Sequence, residues 1–112
     1  MKYRLQATNL IQNVKNTSGC THSSGVSWIQ FYKYRMNTIN NVMCVVKDCC
    51  KVGEVGAHVA IDVHTAEMFI VPMCKTHNHP TVKDWMEVKE GRLAVSITRE
   101  DANNQQECYY SN

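Results

Sequence analysis

The feature that most constrains this chain is a pair of cysteine and histidine spacings that both suit one metal ion. Four residues separate Cys44 from Cys49, and two residues separate Cys74 from His77. Ligands about two to four residues apart can reach one ion from a single tight turn, and structural zinc sites take four Cys or His ligands in a tetrahedron. The spacing therefore predicts that these four side chains hold a structural zinc ion, with no position left open for catalysis.

Two alternatives to this ligand set stay open at the level of sequence. Cys50 can replace Cys49, although the spacing of four residues favours Cys49. The four side chains can also be ordinary buried thiols and a surface histidine, because Cys is among the most buried residue types. The paired spacing, occurring twice, favours zinc, which in zinc-finger peptides contributes about 10 kcal/mol or more to folding.

Length and composition predict one globular domain over residues 1–112, with a metal-stabilised core at about 42–80. Of the 112 residues 44% are apolar, and the chain has six Cys and five His. It contains neither an apolar signal region of roughly 7–15 residues nor an apolar stretch of roughly 18–20 residues that could cross a membrane. We therefore expect a cytoplasmic protein without membrane contact, whose cysteines stay mostly reduced.

Charge is distributed unevenly along the chain. Residues 1–56 carry seven Lys/Arg and two Asp/Glu, whereas residues 57–112 carry five Lys/Arg and eight Asp/Glu, and the net charge is +2. That net charge is too small for a strongly electrostatic nucleic-acid binder. The asymmetry nevertheless favours an amino-terminal half that faces a phosphate backbone or an acidic partner. Two solvated faces of opposite sign are the simpler alternative.

Apolar periodicity predicts an α+β fold with several short strands and two or three helices. Apolar residues alternate strictly over residues 55–63, which is typical of a half-buried strand, and the apolar run 68–73 returns as its hairpin partner. Residues 26–36 carry apolar side chains at helical spacing, which predicts an amphipathic helix. Further strands are predicted at 3–7, 42–46 and 93–97, and a short helix is predicted at 81–88.

Several potential ligands lie outside the four-residue set. Cys20 and His22 are one residue apart in a polar loop, and together with His58 or Cys108 they can form a second metal site. The alternative is that these side chains do not act together. His58 also shares the polar face of its predicted strand with Asp62, and we expect that face to be half-exposed.

The central third of the chain resembles the treble-clef zinc domains of the HNH-endonuclease type. Those domains carry a strand with a histidine, a hairpin return, and a pair of zinc ligands at a helix start. Residues 55–59 (Val-Gly-Ala-His-Val) are similar to the histidine strand, and residues 70–78 (Ile-Val-Pro-Met-Cys-Lys-Thr-His-Asn) are similar to the return and the helix start. The resemblance covers residues 44–78 and implies a zinc-stabilised ββα core.

The resemblance also implies roles for two residues. His58 would be the general base that activates a water, and Asn78 would hold a second, catalytic divalent cation. Two positions depart from the family pattern: Ala57 stands where an Asp usually precedes the histidine, and Phe69 stands where an orienting Asn is expected, with Glu67 nearby. A general base without its orienting partner is a poor catalyst, so the departures favour binding over cleavage.

These observations support three functional hypotheses. The first is a zinc-binding recognition module without catalysis, which contacts nucleic acid or a protein partner. The second is an HNH-like metal-dependent nuclease with His58 as general base and a second divalent cation. The third is a small inhibitor or adaptor protein that occupies a partner's surface. The segment 53–56 (Gly-Glu-Val-Gly) lacks the spacing and the following helix of a phosphate-binding loop, so we expect no small-molecule cofactor.

Overall fold

The framework of the protein is a six-stranded sheet, in which every pair of neighbouring strands is antiparallel. The structure is a computed structural model that describes residues 1–17 and 19–110, and for Thr65 the backbone alone. The strands are β1 (Lys2–Arg4), β2 (Leu10–Asn13), β3 (Val55–Ile61), β4 (His64–Met73), β5 (Met86–Glu87) and β6 (Leu93–Ser96). Their order across the sheet is β1-β6-β4-β3-β2-β5. The described helices are α1 (Trp28–Arg35) and a short 3-10 helix, Gln106–Cys108.

β3 and β4 form the long hairpin at the centre of the sheet. Val59 lies opposite Phe69, and the chain turns at residues 62–63, earlier than the apolar pattern suggests. β-branched and aromatic side chains fit the pleated surface of such a pair. The predicted hairpin is confirmed, and it places Cys74 directly after β4.

The sheet buries apolar side chains on both of its faces. Phe69 belongs to one core cluster, whereas its neighbours Met68 and Ile70 belong to the other, because side chains alternate along a strand. The second cluster is closed by α1, which supplies Phe31 and Tyr32. The face of β3 that the sequence predicts to be half-exposed is therefore covered by the helix.

α1 begins at a serine cap and lies closely against β3. The Ser27 hydroxyl accepts a hydrogen bond from the Gln30 N–H at 3.2 Å, which satisfies one of the free donors of the first turn. The helix predicted at 26–36 is confirmed with slightly shorter bounds. A Cβ atom on Gly56 would collide with the backbone of Trp28, so this glycine allows the helix to approach the strand.

Two elements predicted from periodicity are wrong. The strand predicted at 93–97 is confirmed as Leu93–Ser96, whereas the one predicted at 3–7 is shorter and begins one residue earlier, at Lys2–Arg4. Residues 81–88 form turns and β5, because pairing with β2 prevails over a helical pattern of only two turns. Residues 42–46 form isolated bridges rather than a strand. The chain after Cys74 forms a turn, not the helix of a treble clef. The α+β class holds as an antiparallel sheet with one described α-helix, and treble-clef topology is not confirmed. No helix within residues 1–17 and 19–110 is long and apolar enough to cross a membrane.

Candidate metal centre

The first pair of predicted ligands lies on a tight hairpin that precedes β3. The Cys44 N–H donates to the Lys51 carbonyl at 3.0 Å, and the Cys49 N–H donates to the Val46 carbonyl at 3.1 Å. Asp48 has a φ of 65°, in the left-handed region, which Asp tolerates better than most residues. Because one turn carries both cysteines, their sulfur atoms lie close together, within 4.8 Å of each other.

The second pair lies where β4 ends. The turn that starts at Cys74 is closed by a hydrogen bond from the Asn78 N–H to the Cys74 carbonyl at 3.0 Å, which places His77 beside Cys74. The first hairpin is fastened to the same strand end, since the Val45 N–H donates to the Pro72 carbonyl at 3.0 Å. The end of β4 therefore brings both pairs of ligands together.

The four predicted ligands converge within 4.8 Å of one another. Cys49 Sγ lies 3.9 Å from Cys74 Sγ. His77 Nδ1 lies 3.2 Å from Cys74 Sγ and 3.8 Å from Cys44 Sγ. In a tetrahedral zinc site with bonds of about 2.3 Å to sulfur and about 2.0 Å to nitrogen, neighbouring ligand atoms are about 3.5–3.8 Å apart. The group can therefore hold a metal ion such as zinc, with His77 binding through Nδ1.

Burial and hydrogen bonding act in opposite directions on two of these thiols. Desolvation raises the pKa of Cys44 to about 11, because the buried thiolate loses its hydration. A hydrogen bond from the Lys51 backbone lowers the pKa of Cys49, and the Lys89 ammonium adds to that effect. The Lys89 ammonium also donates to the Cys44 carbonyl at 2.7 Å. A bound dication would reverse the balance at Cys44, because coordination deprotonates a thiol.

The other three cysteines settle which residue pairs with Cys44 and show that the second metal site was wrongly predicted. Cys50 is exposed and lies outside the convergent group, to which Cys49 belongs. Cys20 forms a disulfide with Cys108. A disulfide sulfur is not a thiolate ligand, so the predicted second metal site with Cys20 and His22 is wrong. The expectation of reduced cysteines holds for four of the six.

His22 instead forms hydrogen bonds that fasten the carboxy-terminal segment to the loop before α1. Its Nε2 lies 3.2 Å from an Asp101 carboxylate oxygen, and its Nδ1 lies 2.8 Å from the Ser24 hydroxyl. Partial burial opposes ionisation of Asp101, but hydrogen bonds from Thr98 and His22 outweigh it and lower the pKa of that carboxyl. Both ring nitrogens of His22 are therefore engaged.

His58 is buried rather than half-exposed, with 6% of its surface accessible. Its ring packs edge to face on Trp28, with the ring centroids 4.8 Å apart. Its Nε2 has no hydrogen-bond partner among the described residues. Desolvation lowers the pKa of His58 to about 4, so the ring is neutral at pH 7. The imidazole has the protonation state of a base, but α1 lies over it.

His58 and Asn78, the two residues that the family resemblance pairs, line one small cavity of about 180 Å³, to which Trp28 also contributes. The orienting partner is missing from its expected place. Phe69 is fully buried in the core cluster on the opposite face of the sheet, and Ala57 is also buried there. Ala57 and Phe69, the two residues that depart from the family pattern, are therefore both buried apolar residues that cannot orient His58.

The disulfide is the main feature that the sequence reasoning missed. The Trp28 indole N–H donates to the Cys20 carbonyl at 2.9 Å, so the start of α1 also helps to position this bond. Its cysteines are 88 residues apart, and no local pattern pairs residues at that separation. The only available signal was that Cys20 and Cys108 remain once the metal ligands and the neighbouring Cys50 are set aside.

Comparison with known proteins adds no relative to this description. No protein-family model matches the chain, and no curated protein or solved structure matches it. A functional proposal for this protein therefore depends on the convergent metal-binding group and on the surface that surrounds it.

Proposed function

We propose that this chain is a zinc-stabilised recognition module that binds nucleic acid and has no catalytic activity of its own. The observation that carries the proposal is the convergence of three thiols and one imidazole within 4.8 Å. Such a set fills all four corners of the zinc tetrahedron, which leaves no position for water or substrate. Zinc held in this way stabilises the fold and leaves recognition to the surface of the domain.

The charge distribution favours nucleic acid as the partner. Residues 1–56 carry seven Lys/Arg and two Asp/Glu. α1 ends in Lys33 and Arg35 and contains no acidic residue. Phosphate groups bind to such cationic surfaces with release of counterions, which makes the affinity depend on salt. A protein partner is the competing possibility. If the partner is a protein, we do not expect the chain to bind unrelated oligonucleotides with a common salt dependence.

Elemental analysis combined with native mass spectrometry tests the metal half of the proposal. We expect one zinc per chain, bound by the wild type and by the Cys50→Ser control, and lost in Cys74→Ser. The control is matched, since Cys50 is an exposed free thiol outside the ligand group. A folded protein that contains no zinc and resists chelators would overturn the proposal.

Fluorescence anisotropy with labelled single-stranded and double-stranded oligonucleotides tests the recognition half. For about three phosphate contacts on a single strand, we expect the affinity to fall about 20-fold between roughly 50 and 200 mM salt. The expected result is binding with a negative slope of log affinity against log salt. The absence of binding to every oligonucleotide, or binding that salt does not weaken, would contradict the proposal.

The cavity shared by His58 and Asn78 favours a second candidate, a metal-dependent nuclease. The test is cleavage of plasmid and single-stranded DNA with added divalent cations, with circular dichroism to confirm the fold of each variant. The recognition proposal expects no cleavage by the wild type. Cleavage that disappears in both folded variants, His58→Ala and Asn78→Ala, would establish the nuclease instead.

A further inference from the structure

A groove runs along the carboxy-terminal end of α1 and the loop that follows it, with a volume of about 520 Å³. Its helical part lies at i, i+3 and i+4 (Gln30, Lys33 and Tyr34), positions that share one face of a helix. This face points away from the sheet, whereas Phe31 and Tyr32 of the same helix enter the core. The groove is lined by Gln30, Lys33, Tyr34, Asn37, Thr38 and Ile39.

Two large side chains of the groove are almost fully exposed. Tyr34 is 83% exposed and Ile39 is 96% exposed, the highest values among the large apolar and aromatic side chains of the described residues. The neighbouring Tyr32, in contrast, is buried and donates its hydroxyl to the Leu93 carbonyl at 2.7 Å. Tyr34 therefore offers a free ring face beside the groove.

The charged side chain that lines the groove is a cation, Lys33. The first 47 residues contain six Lys/Arg and no Asp/Glu. Lys47, Lys51 and Lys89, near the metal-binding group, each contact an acceptor. Arg35 lies over the Phe31 ring at 5.9 Å. The ammonium of Lys33, by contrast, has no hydrogen bond or ion pair within the described residues, so it is available for an outside anion.

We infer that this groove binds unpaired nucleotides of a single-stranded nucleic acid, with a base stacked on Tyr34 and a phosphate beside Lys33. An exposed aromatic ring next to a cation is the usual arrangement for single strands, because every base presents a face to stack on. The amides of Gln30 and Asn37 can reach base edges, since amides both donate and accept hydrogen bonds. A paired base in a duplex would not be free to lie on the ring. The inference rests on the proposed nucleic-acid function and assigns its partner and its surface.

The test is fluorescence anisotropy of the full, zinc-loaded chain with a labelled single strand of about ten nucleotides, within the range that one binding domain covers. We expect Tyr34→Ala to weaken binding about 5- to 150-fold and Tyr34→Trp to restore it, since one stacked base accounts for that range. Tyr110→Ala is the matched control, because Tyr110 is an exposed tyrosine outside the groove, 45% accessible. Its affinity should equal that of the wild type.

A second variant separates the phosphate contact from stacking. Lys33→Gln should reduce the slope of log affinity against log salt by about 0.7, the contribution of one phosphate on a single strand. Both variants change exposed or half-exposed side chains, and their circular dichroism should match the wild type.

The outcomes distinguish this inference from the proposed function. If the wild type binds nucleic acid with salt dependence but Tyr34→Ala binds equally well, the groove assignment fails and the proposed function stands. If the wild type prefers duplex over single strand, the assignment fails as well. If the wild type binds no nucleic acid at all, both fail, and the groove would then be free for a protein partner.

Discussion

Replacing His58 by Gln should remove a large part of the acid sensitivity of folding in this protein. In the folded state burial lowers the pKa of His58 from its ordinary value of 6.5 to about 4. Between these values the unfolded chain binds a proton at this residue and the folded chain does not. Stability therefore rises with pH across this window, is fully present above about pH 6.5, and is lost as the pH falls toward about 4.

The size of the effect follows from the two pKa values. From about pH 7.5 to pH 4.5, the protonation difference at His58 should cost the folded state about 2.5 kcal/mol. That is a large fraction of the roughly 5–15 kcal/mol that stabilises a typical domain. The measurement is urea unfolding followed by tryptophan fluorescence at a series of pH values, for wild type and His58→Gln, under identical zinc conditions.

The decisive quantity is the difference in unfolding free energy between the two proteins at each pH. Acid also protonates metal ligands, but that loss is common to both proteins and cancels in the difference. We expect the unfolding free energy of the wild type minus that of His58→Gln to fall by about 2.5 kcal/mol between about pH 7.5 and pH 4.5. A difference that stays constant with pH, or an NMR titration of His58 with a midpoint near 6.5, would refute the burial argument.

Three further predictions concern the metal, the helix contact and the disulfide. Cys74→Ser should lower the unfolding free energy by about 4 kcal/mol or more through loss of zinc, whereas Cys50→Ser should change it by less than about 0.5 kcal/mol, both measured by chemical denaturation. Gly56→Ala should cost about 1–3 kcal/mol because its Cβ meets the α1 backbone, and Gly19→Ala, which has open space around it, should be nearly neutral in thermal melts. Alkylation of the denatured protein in the presence of a chelator, followed by mass spectrometry, should label four cysteines without reductant and six with it, and reduction should lower stability by about 2–4 kcal/mol.

The ligand set was predictable because metal coordination imposes a local spacing. Cys44 and Cys49 lie within one turn, and so do Cys74 and His77, so each pair is visible without knowledge of the fold. The alternation over 55–63 was equally local, and it predicted the hairpin that brings the pairs together.

The failures share a dependence on distant parts of the chain. Residues 81–88 have helical spacing, but they pair with β2, which lies more than 70 residues away. His58 belongs to a strand face that looks polar, and α1 buries it because Gly56 allows the helix to approach. Local periodicity contains no information about which element covers a face of a strand. It therefore could not predict the burial of His58, its lowered pKa or the disulfide.

The same distant contacts give the proposed binding helix a fixed position. At its amino-terminal end α1 is held by the close contact at Gly56 and by the hydrogen bond from Trp28 to the Cys20 carbonyl, next to the disulfide. Its inner face fills the second core cluster. A helix anchored on two sides loses little conformational freedom when a ligand binds to its outer face, so more of the contact energy at Tyr34 and Lys33 appears as affinity. Reducing the disulfide should therefore weaken single-strand binding as well as lower stability. If the groove is not the binding site, reduction should lower stability and leave the affinity for a single strand unchanged.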